Sequence, residues 1–298
     1  MRGLTRSIGL ALTVAFLAAA CGGAGGTSGS PSPQSSAATK PTFEVQTYMY
    51  AIQVKGKLRI GTQEDNPPFS VKNPVNSKWE GFDADVGREI AKALFGGQVD
   101  PDTVIEWVPV TSATRIPTLT DNKADVIIKT FTINEDRKKQ IDFSDVYFST
   151  GQRILVKKTN DAIKEASDLS GKTVCAQKGS TSEQNLTKAN PQAKPLLLDS
   201  YPACLLALQQ GSADAVSTDE TILFGLVKQD PNTKIVGKPF SDEPYGIGVK
   251  KNESSDRNGF VVFLNTWLAG AIKDGTWGKL YEKHITPVSG DKKQNPKG

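Results

Sequence analysis

The residues with chemistry to offer gather in one short stretch. Thr130 and Thr132 alternate with Phe131 and Ile133 after the apolar run Val126-Ile127-Ile128, and Arg137 follows at the head of a charged segment. A strand that ends in hydroxyls and is followed by a fixed cation makes an anion cradle. Open α/β sheets carry ligands at the C-terminal ends of their strands. Residues of similar chemistry follow other apolar runs: Thr62 and Gln63, Ser112 and Arg115, and Asp219. Gly179-Ser180-Thr181 opens a predicted helix, where unpaired N–H groups favour an anion. Two arginines, several hydroxyls and one carboxylate suit a zwitterion that carries a second acidic or amide group. Charged hydrogen bonds of this kind contribute about 1.5–3 kcal/mol each.

Each of these residues also has a plainer reading. Arg137 sits in NEDRKKQ, and such runs are usually solvated. Arg115 has Asp121 and Asp125 within reach for a surface pair, Asp219 suits an N-cap, and Gly179–Thr181 suits an ordinary turn. Trp107, Trp267 and Trp277 read as packing, and Tyr245 as hinge packing.

Several function classes are disfavoured. His284 is the only histidine, so no nucleophile–base pair and no usual zinc ligand set is visible. No phosphate loop or dinucleotide fingerprint occurs, so neither a metal nor a cofactor is expected. The net charge of +4 is small for 298 residues and its basic residues are scattered among acids, which argues against a nucleic-acid partner.

The elements that must position these groups follow an α/β pattern. Strands are expected at Leu58–Gly61, Val104–Val110, Val126–Ile128, Arg153–Val156, Thr173–Ala176, Ala213–Ser217, Lys234–Val236 and Tyr245–Lys250. Helices are expected at Asp83–Phe95, Ser112–Asn122, from Gly179 to about Ala189, and at Pro202–Gln210, Glu220–Gln229, Asp256–Lys273 and Thr276–His284. Phe43–Val54 reads as a leading helix or ordered arm, and Thr62–Ser70, with two prolines, as a loop. The pattern implies a mostly parallel sheet covered on both faces. Two α/β runs of similar size suggest two lobes with a cleft between them.

The N-terminus has a different character. Arg2 and Arg6 precede the apolar stretch Ile8–Leu17, and Ala18-Ala19-Ala20 precedes Cys21, the order of an export signal over residues 1–20. Removing it takes the basic count from 36 to 34, against 32 acids. LAAAC resembles a bacterial lipobox, which implies lipidation of Cys21 and anchoring to a membrane; plain secretion is the alternative. Residues 21–44 are largely Gly, Ser, Pro and Ala and read as a flexible tether. In an exported protein Cys175 and Cys204 are expected to form a disulfide, two separate buried thiols being the alternative.

The chain resembles the extracytoplasmic solute-binding proteins of the polar amino-acid family, family 3, the receptors of ABC importers. The blocks that carry the resemblance are Leu58-Arg59-Ile60-Gly61-Thr62, Pro68-Phe69, Gly81-Phe82-Asp83-Ala84-Asp85, Arg115-Ile116-Pro117, Thr132–Arg137 with Ile141-Asp142-Phe143-Ser144, Asp168–Lys172 and Gly179-Ser180-Thr181. Within the family it most resembles the glutamate-binding lipoproteins of high-GC Gram-positive (actinobacterial) bacteria, through Thr218-Asp219, Ile222-Leu223-Phe224-Gly225, Tyr245-Gly246-Ile247-Gly248 and the paired cysteines.

The resemblance implies a periplasmic-binding-protein-like (type II) fold, α/β, with two lobes joined by hinge strands near Thr150–Gln152 and Ser241–Tyr245. Lobe one would comprise residues 45–150 and 246–286, lobe two 151–245, and 287–298 would be a disordered tail. Arg137 would bind an α-carboxylate with Thr130, Thr132, Ser180 and Thr181 beside it. Asp219 would take the α-ammonium, and Ser112 and Arg115 the side-chain end. Gln63 and Asn66 depart from the family pattern, standing where many relatives have an acid and an aromatic. The implied ligand is glutamate, with aspartate, glutamine and asparagine as alternates. The implied partner is an ABC permease, the chain acting as a monomer at the outer face of the membrane. A sensor feeding a membrane signalling partner, or an enzyme such as a dehydratase or lyase on the same fold, are the competing readings.

Overall fold

In the computed structural model, residues 40–251, 259–293 and 295–297 are described. The expected export signal, Cys21 and the tether up to residue 39 lie outside the described residues, as does the expected start of the helix at Asp256–Lys273.

The chain begins with α1 (Tyr48–Lys55), whose N-cap Thr47 accepts from the Tyr50 N–H and whose end is turned by Gly56 at φ 70°. It then enters β1 (Leu58–Thr62). The loop expected over Thr62–Ser70 instead begins a small antiparallel sheet of β2 (Asp65–Asn66), β3 (Ser70–Lys72) and β4 (Trp79–Glu80). The helix α2 (Phe82–Phe95) buries Val86, Ile90 and Leu94 on one face and stops at Gly96. Next come α3 (Pro101–Val104), β5 (Ile105–Pro109), α4 (Arg115–Thr120), β6 (Val126–Ile127) and α5 (Glu135–Lys138).

β7 (Ile141–Lys157) is much longer than the strand expected at Arg153–Val156. After it follow β8 (Thr173–Gln177), α6 (Thr181–Ala189), β9 (Lys194–Leu198), α7 (Tyr201–Gln210), β10 (Ala215–Asp219), α8 (Glu220–Gln229), β11 (Thr233–Val236) and β12 (Asp242–Lys250). The chain closes with α9 (Phe260–Lys273), α10 (Thr276–His284) and α11 (Thr286–Ser289). The last of these falls in the stretch expected to be a tail; it is tied down where Thr286 Oγ1 donates to Asp291 O at 2.7 Å.

The main sheet runs β5-β1-β6-β12-β7-β10-β8-β9, with β11 also on β7. β1 lies parallel to β5 and β6, with Ile60 opposite Trp107 and Val126. β8 lies parallel to β9 and β10. These two parallel sets are the sheets of two lobes, and antiparallel β7 and β12 join them. β7 pairs with β12 as far as Gly151, opposite Asp242, and from Gln152, opposite Asp219, it pairs with β10. The change of partner falls between Gly151 and Gln152. The inner strands β1, β6, β8 and β10 are buried on both faces, which is why their sequences read as apolar runs, whereas β5 and β9 at the edges are partly exposed. In lobe one, Val110, Leu119, Ala124, Ile127, Phe131 and Ile141 pack on one side of the sheet. In lobe two, Ile154, Val156, Leu169, Val174 and Leu186 do the same. Cys175 on β8 and Cys204 on α7 are disulfide-bonded, with Cα atoms 5.4 Å apart.

Candidate functional site

The end of β6 positions the first groups. β6 stops at Ile127, and Thr130 sits at φ 38°, a left-handed conformation that is uncommon for a β-branched residue. The Thr130 N–H donates to Asp83 Oδ2 at 3.0 Å, and Tyr147 OH donates to Asp83 Oδ1 at 2.8 Å, so a buried carboxylate holds this turn. Burial pushes Asp83 up to about 6 against those hydrogen bonds.

Arg137 is not part of a solvated run. Its neighbours Lys138 and Lys139 pair on the surface with Glu135 and Asp136. Arg137 itself is 6% exposed and folds back, donating from Nη1 to Thr132 O at 2.6 Å, with its guanidinium 5.1 Å from the Phe131 ring centre. Asn134 makes this possible by capping α5 at the Arg137 N–H. Burial lowers the Arg137 pKa to about 10.

Arg115 also avoids the surface pair open to it. Asp125 is held by Arg59 at 2.6 Å and Asp121 by Lys123 at 3.0 Å. Arg115 is 2% exposed, donates from Nη1 to Lys129 O and Thr130 O at 3.0 and 3.3 Å, and lies 4.0 Å from the Phe131 ring centre. Its Nε has no partner. Burial, then the Arg137 charge, push its pKa down.

Asp219 precedes α8 but its side chain does not cap that helix. One oxygen, Oδ2, accepts from Tyr245 OH, and the other, Oδ1, is buried with no partner among the described residues. Burial first, then Glu243, raise its pKa to about 7. Tyr245, read from the sequence as packing, therefore orients this carboxylate. Trp277 is packing as expected, buried with Nε1 donating to Tyr147 O.

Groups from the two lobes meet over these residues. Thr132 on lobe one and Thr181 on lobe two both donate to Glu243 Oε2 at 2.7 Å. Gly179 at φ 75° lets lobe two approach lobe one so closely that a Cβ there would lie 2.8 Å from Ala113 Cα. Ser180 is used within its own loop: its Oγ donates to Gln177 O at 2.6 Å and accepts from the Glu183 N–H, capping α6. Ser112 donates to Gln177 Oε1 at 2.9 Å. Gln63 Oε1 accepts from Gln177 Nε2 at 2.9 Å, and Asn66 reaches Thr130 Oγ1 at 3.4 Å.

The sequence reading missed three members of this cluster. Lys129 is 1% exposed and donates to Ser112 Oγ and Gln177 Oε1 at 2.8 and 2.9 Å. Gln177 ends β8, and Glu243 is the second residue of β12, both buried. A lysine closing an apolar strand, immediately before a hydroxyl, was the available signal for Lys129. β6 ends before it, and the left-handed turn at Thr130 interrupts the strand alternation there.

Taken together, Arg115, Lys129, Arg137 and Asp219 lie near enough to perturb one another's ionisation. Thr62 Oγ1, Asn66 Oδ1, Arg115 Nε and Asp219 Oδ1 are buried polar atoms with no partner among the described residues, and burying such atoms unpaired costs about 1–3 kcal/mol each. The arrangement can bind a small molecule with both acidic and basic groups.

Residues 58–287 match the bacterial extracellular solute-binding proteins, family 3. The chain is 39% identical over 277 residues to the ABC transporter glutamine-binding protein GlnH of Bacillus subtilis (strain 168), covering 93% of this chain and 94% of that one. It is 32% identical over 245 residues to the glutamate-binding protein GluB of Corynebacterium glutamicum, covering 80% and 81%. Among solved structures, an ancestral arginine-binding protein bound to glutamine aligns with a TM-score of 0.70 at 44% identity, covering 77% of this chain and 98% of that one.

Proposed function

The chain belongs to the bacterial extracellular solute-binding proteins, family 3, and on that footing we propose that it is the receptor of an ABC importer for an acidic or amide amino acid. Glutamate is the foremost ligand, with aspartate, glutamine and asparagine as alternates. The observation that carries this reading is the relation of Arg137 to Asp219. A buried cation on lobe one and a buried carboxylate at the end of a lobe-two strand do not pair with each other, and Asp219 Oδ1 has no hydrogen-bond partner among the described residues. An α-carboxylate against Arg137, with Thr132 and Thr181 beside it, and an α-ammonium against Asp219 would satisfy both. The relatives support the class of ligand, since one is named for glutamine and another for glutamate.

The working cycle follows from the hinge. Ligand contacts are divided between lobes, so they are complete only when the lobes close, and ligand favours the closed form by its extra contacts there. The permease then recognises that form. The protein acts as a single chain, exported and held at the outer face of the membrane by lipid on Cys21.

A thermal-shift screen of the twenty amino acids, followed by calorimetry on those that raise the melting temperature, tests the reading. Glutamate or one of its three alternates is expected to give the largest shift. No shift with any amino acid would overturn it.

A further inference from the structure

We infer that Lys129 is the specificity residue of the cleft: its ammonium receives the side-chain carboxylate of the ligand and makes the site select an acid over the matching amide. The inference rests on the amino-acid reading above and deepens it.

Once an α-carboxylate is assigned to Arg137 and an α-ammonium to Asp219, two buried cations are left over, Lys129 and Arg115. Their hydrogen bonds go only to neutral oxygens. Lys129 Nζ donates to Ser112 Oγ and Gln177 Oε1, and Arg115 Nη1 donates to two backbone carbonyls. Lys129 Nζ has three donors and these two bonds use two of them. Arg115 is fixed by the carbonyls and by Phe131, whereas Lys129 is a compact charge at the end of a flexible stem, able to turn toward a ligand.

Charge decides between acid and amide. A buried cation is costly to keep without an anion. Burial and the neighbouring Arg115 charge push Lys129's pKa well down, against the opposing pull of Asp219 and Asp83, and its hydrogen bonds go to neutral oxygens. A side-chain carboxylate supplies the anion. An amide offers an acceptor oxygen but no charge, and its NH2 group would face donors. A cationic side chain would lie beside two like charges.

The neighbours of Lys129 also link its position to closure. Ser112 and Lys129 belong to lobe one and Gln177 to lobe two, so the same amide oxygen takes hydrogen bonds from both lobe-one groups. An anion at Lys129 therefore sits where the lobes meet.

The test is calorimetry of L-glutamate and L-glutamine on the full mature chain and on Lys129→Met and Lys129→Gln, with melting curves for each. The wild-type chain is expected to bind glutamate at least about tenfold more tightly than glutamine, and Lys129→Met to lose glutamate affinity on the order of 100-fold while glutamine affinity changes less than about fivefold. Equal loss of both ligands in a folded variant, or unchanged glutamate affinity, would overturn the assignment. If Lys129→Met does not fold, the wild-type preference and Lys129→Gln decide it. A wild-type chain that prefers glutamine overturns this inference and leaves the receptor reading standing; one that binds no amino acid overturns both.

Discussion

Thr132 and Thr181 are 49 residues apart in sequence and lie on opposite lobes, yet both hydroxyls donate to one oxygen, Glu243 Oε2. The other oxygen of Glu243 accepts from Asn185 and Ser241 at 2.6 and 2.7 Å. A carboxylate on the hinge strand thus bonds both lobes at once. In Glu243→Ala the two threonine hydroxyls keep, among the described residues, the contact with each other at 3.3 Å. The closed form should lose population, and amino-acid affinity should fall on the order of tenfold. Small-angle scattering of the ligand-free variant should show a larger radius of gyration than wild type. Identical scattering and affinity would count against a latch.

Arg137 should be the single most costly residue to remove. Arg137→Ala deletes the cation assigned to the α-carboxylate and the bond to Thr132 O. Calorimetry should show affinity for every amino-acid ligand falling by about 100-fold or more. Arg137→Lys keeps the charge but not the fork, so it should fall between the two. A variant that binds as wild type does would remove Arg137 from the site.

Asp219 gives a pH dependence whose sign can be worked out. In the fold its pKa rises to about 7, while in the unfolded chain it ionises at about 3.9. The folded state therefore holds its proton over a range where the unfolded state has lost it. That contribution favours the fold below about pH 4 and is lost as pH rises through about 7. Asp219→Asn never ionises and escapes the loss. Its stability relative to wild type should grow between pH 4 and 8, by about 2–4 kcal/mol, as read from ligand-free melting curves. Wild-type ligand affinity should move the other way, weakening as pH falls below about 7, because a neutral carboxyl cannot pair an ammonium. A stability difference that stays flat across this range would mean that Asp219 is not held neutral.

What the sequence made legible were features that local pattern dictates. The hydroxyls at Thr130 and Thr132, the cation at Arg137 and the strand–helix order follow from apolar runs and their punctuation, and the structure buries these residues in one cluster. What stayed hidden depends on contacts between distant segments. Lys129 enters the cleft because Asp83 and Tyr147, far away in the chain, hold Thr130 in a left-handed turn. Glu243 looked like an ordinary hinge residue until Thr132 and Thr181 were placed on either side of it. The first twelve residues of β7, IDFSDVYFSTGQ, alternate poorly because they are bordered by different strands and helices along their length. Arg115 and Asp219 carried credible local explanations, a surface pair and an N-cap, and only the third dimension shows that Arg59 takes the first partner and Tyr245 the second carboxylate.

The disulfide should matter to stability. Cys175 and Cys204 close a loop within lobe two, worth about 3–4 kcal/mol if chain entropy dominates. The Cys175→Ala, Cys204→Ala double variant should melt on the order of 10 °C lower. An unchanged melting temperature, with the bond shown by mass spectrometry to form in wild type, would contradict that magnitude.

Gly225 separates closure from stability. It lies within α8 on lobe two, and a Cβ there would sit 2.3 Å from Pro67 O in the lobe-one loop between β2 and β3. Inside a helix, Gly→Ala is favourable by about 1 kcal/mol. Gly225→Ala should therefore leave the melting temperature of the ligand-free protein unchanged or raise it. The same methyl collides with lobe one only when the lobes meet, so closing requires the loop or the helix to shift. Affinity for the amino acid should fall on the order of 10–100-fold, and scattering with saturating ligand should show incomplete compaction. A variant that is both more stable and fully competent to bind would show that α8 and the Pro67 loop need not touch for the site to form.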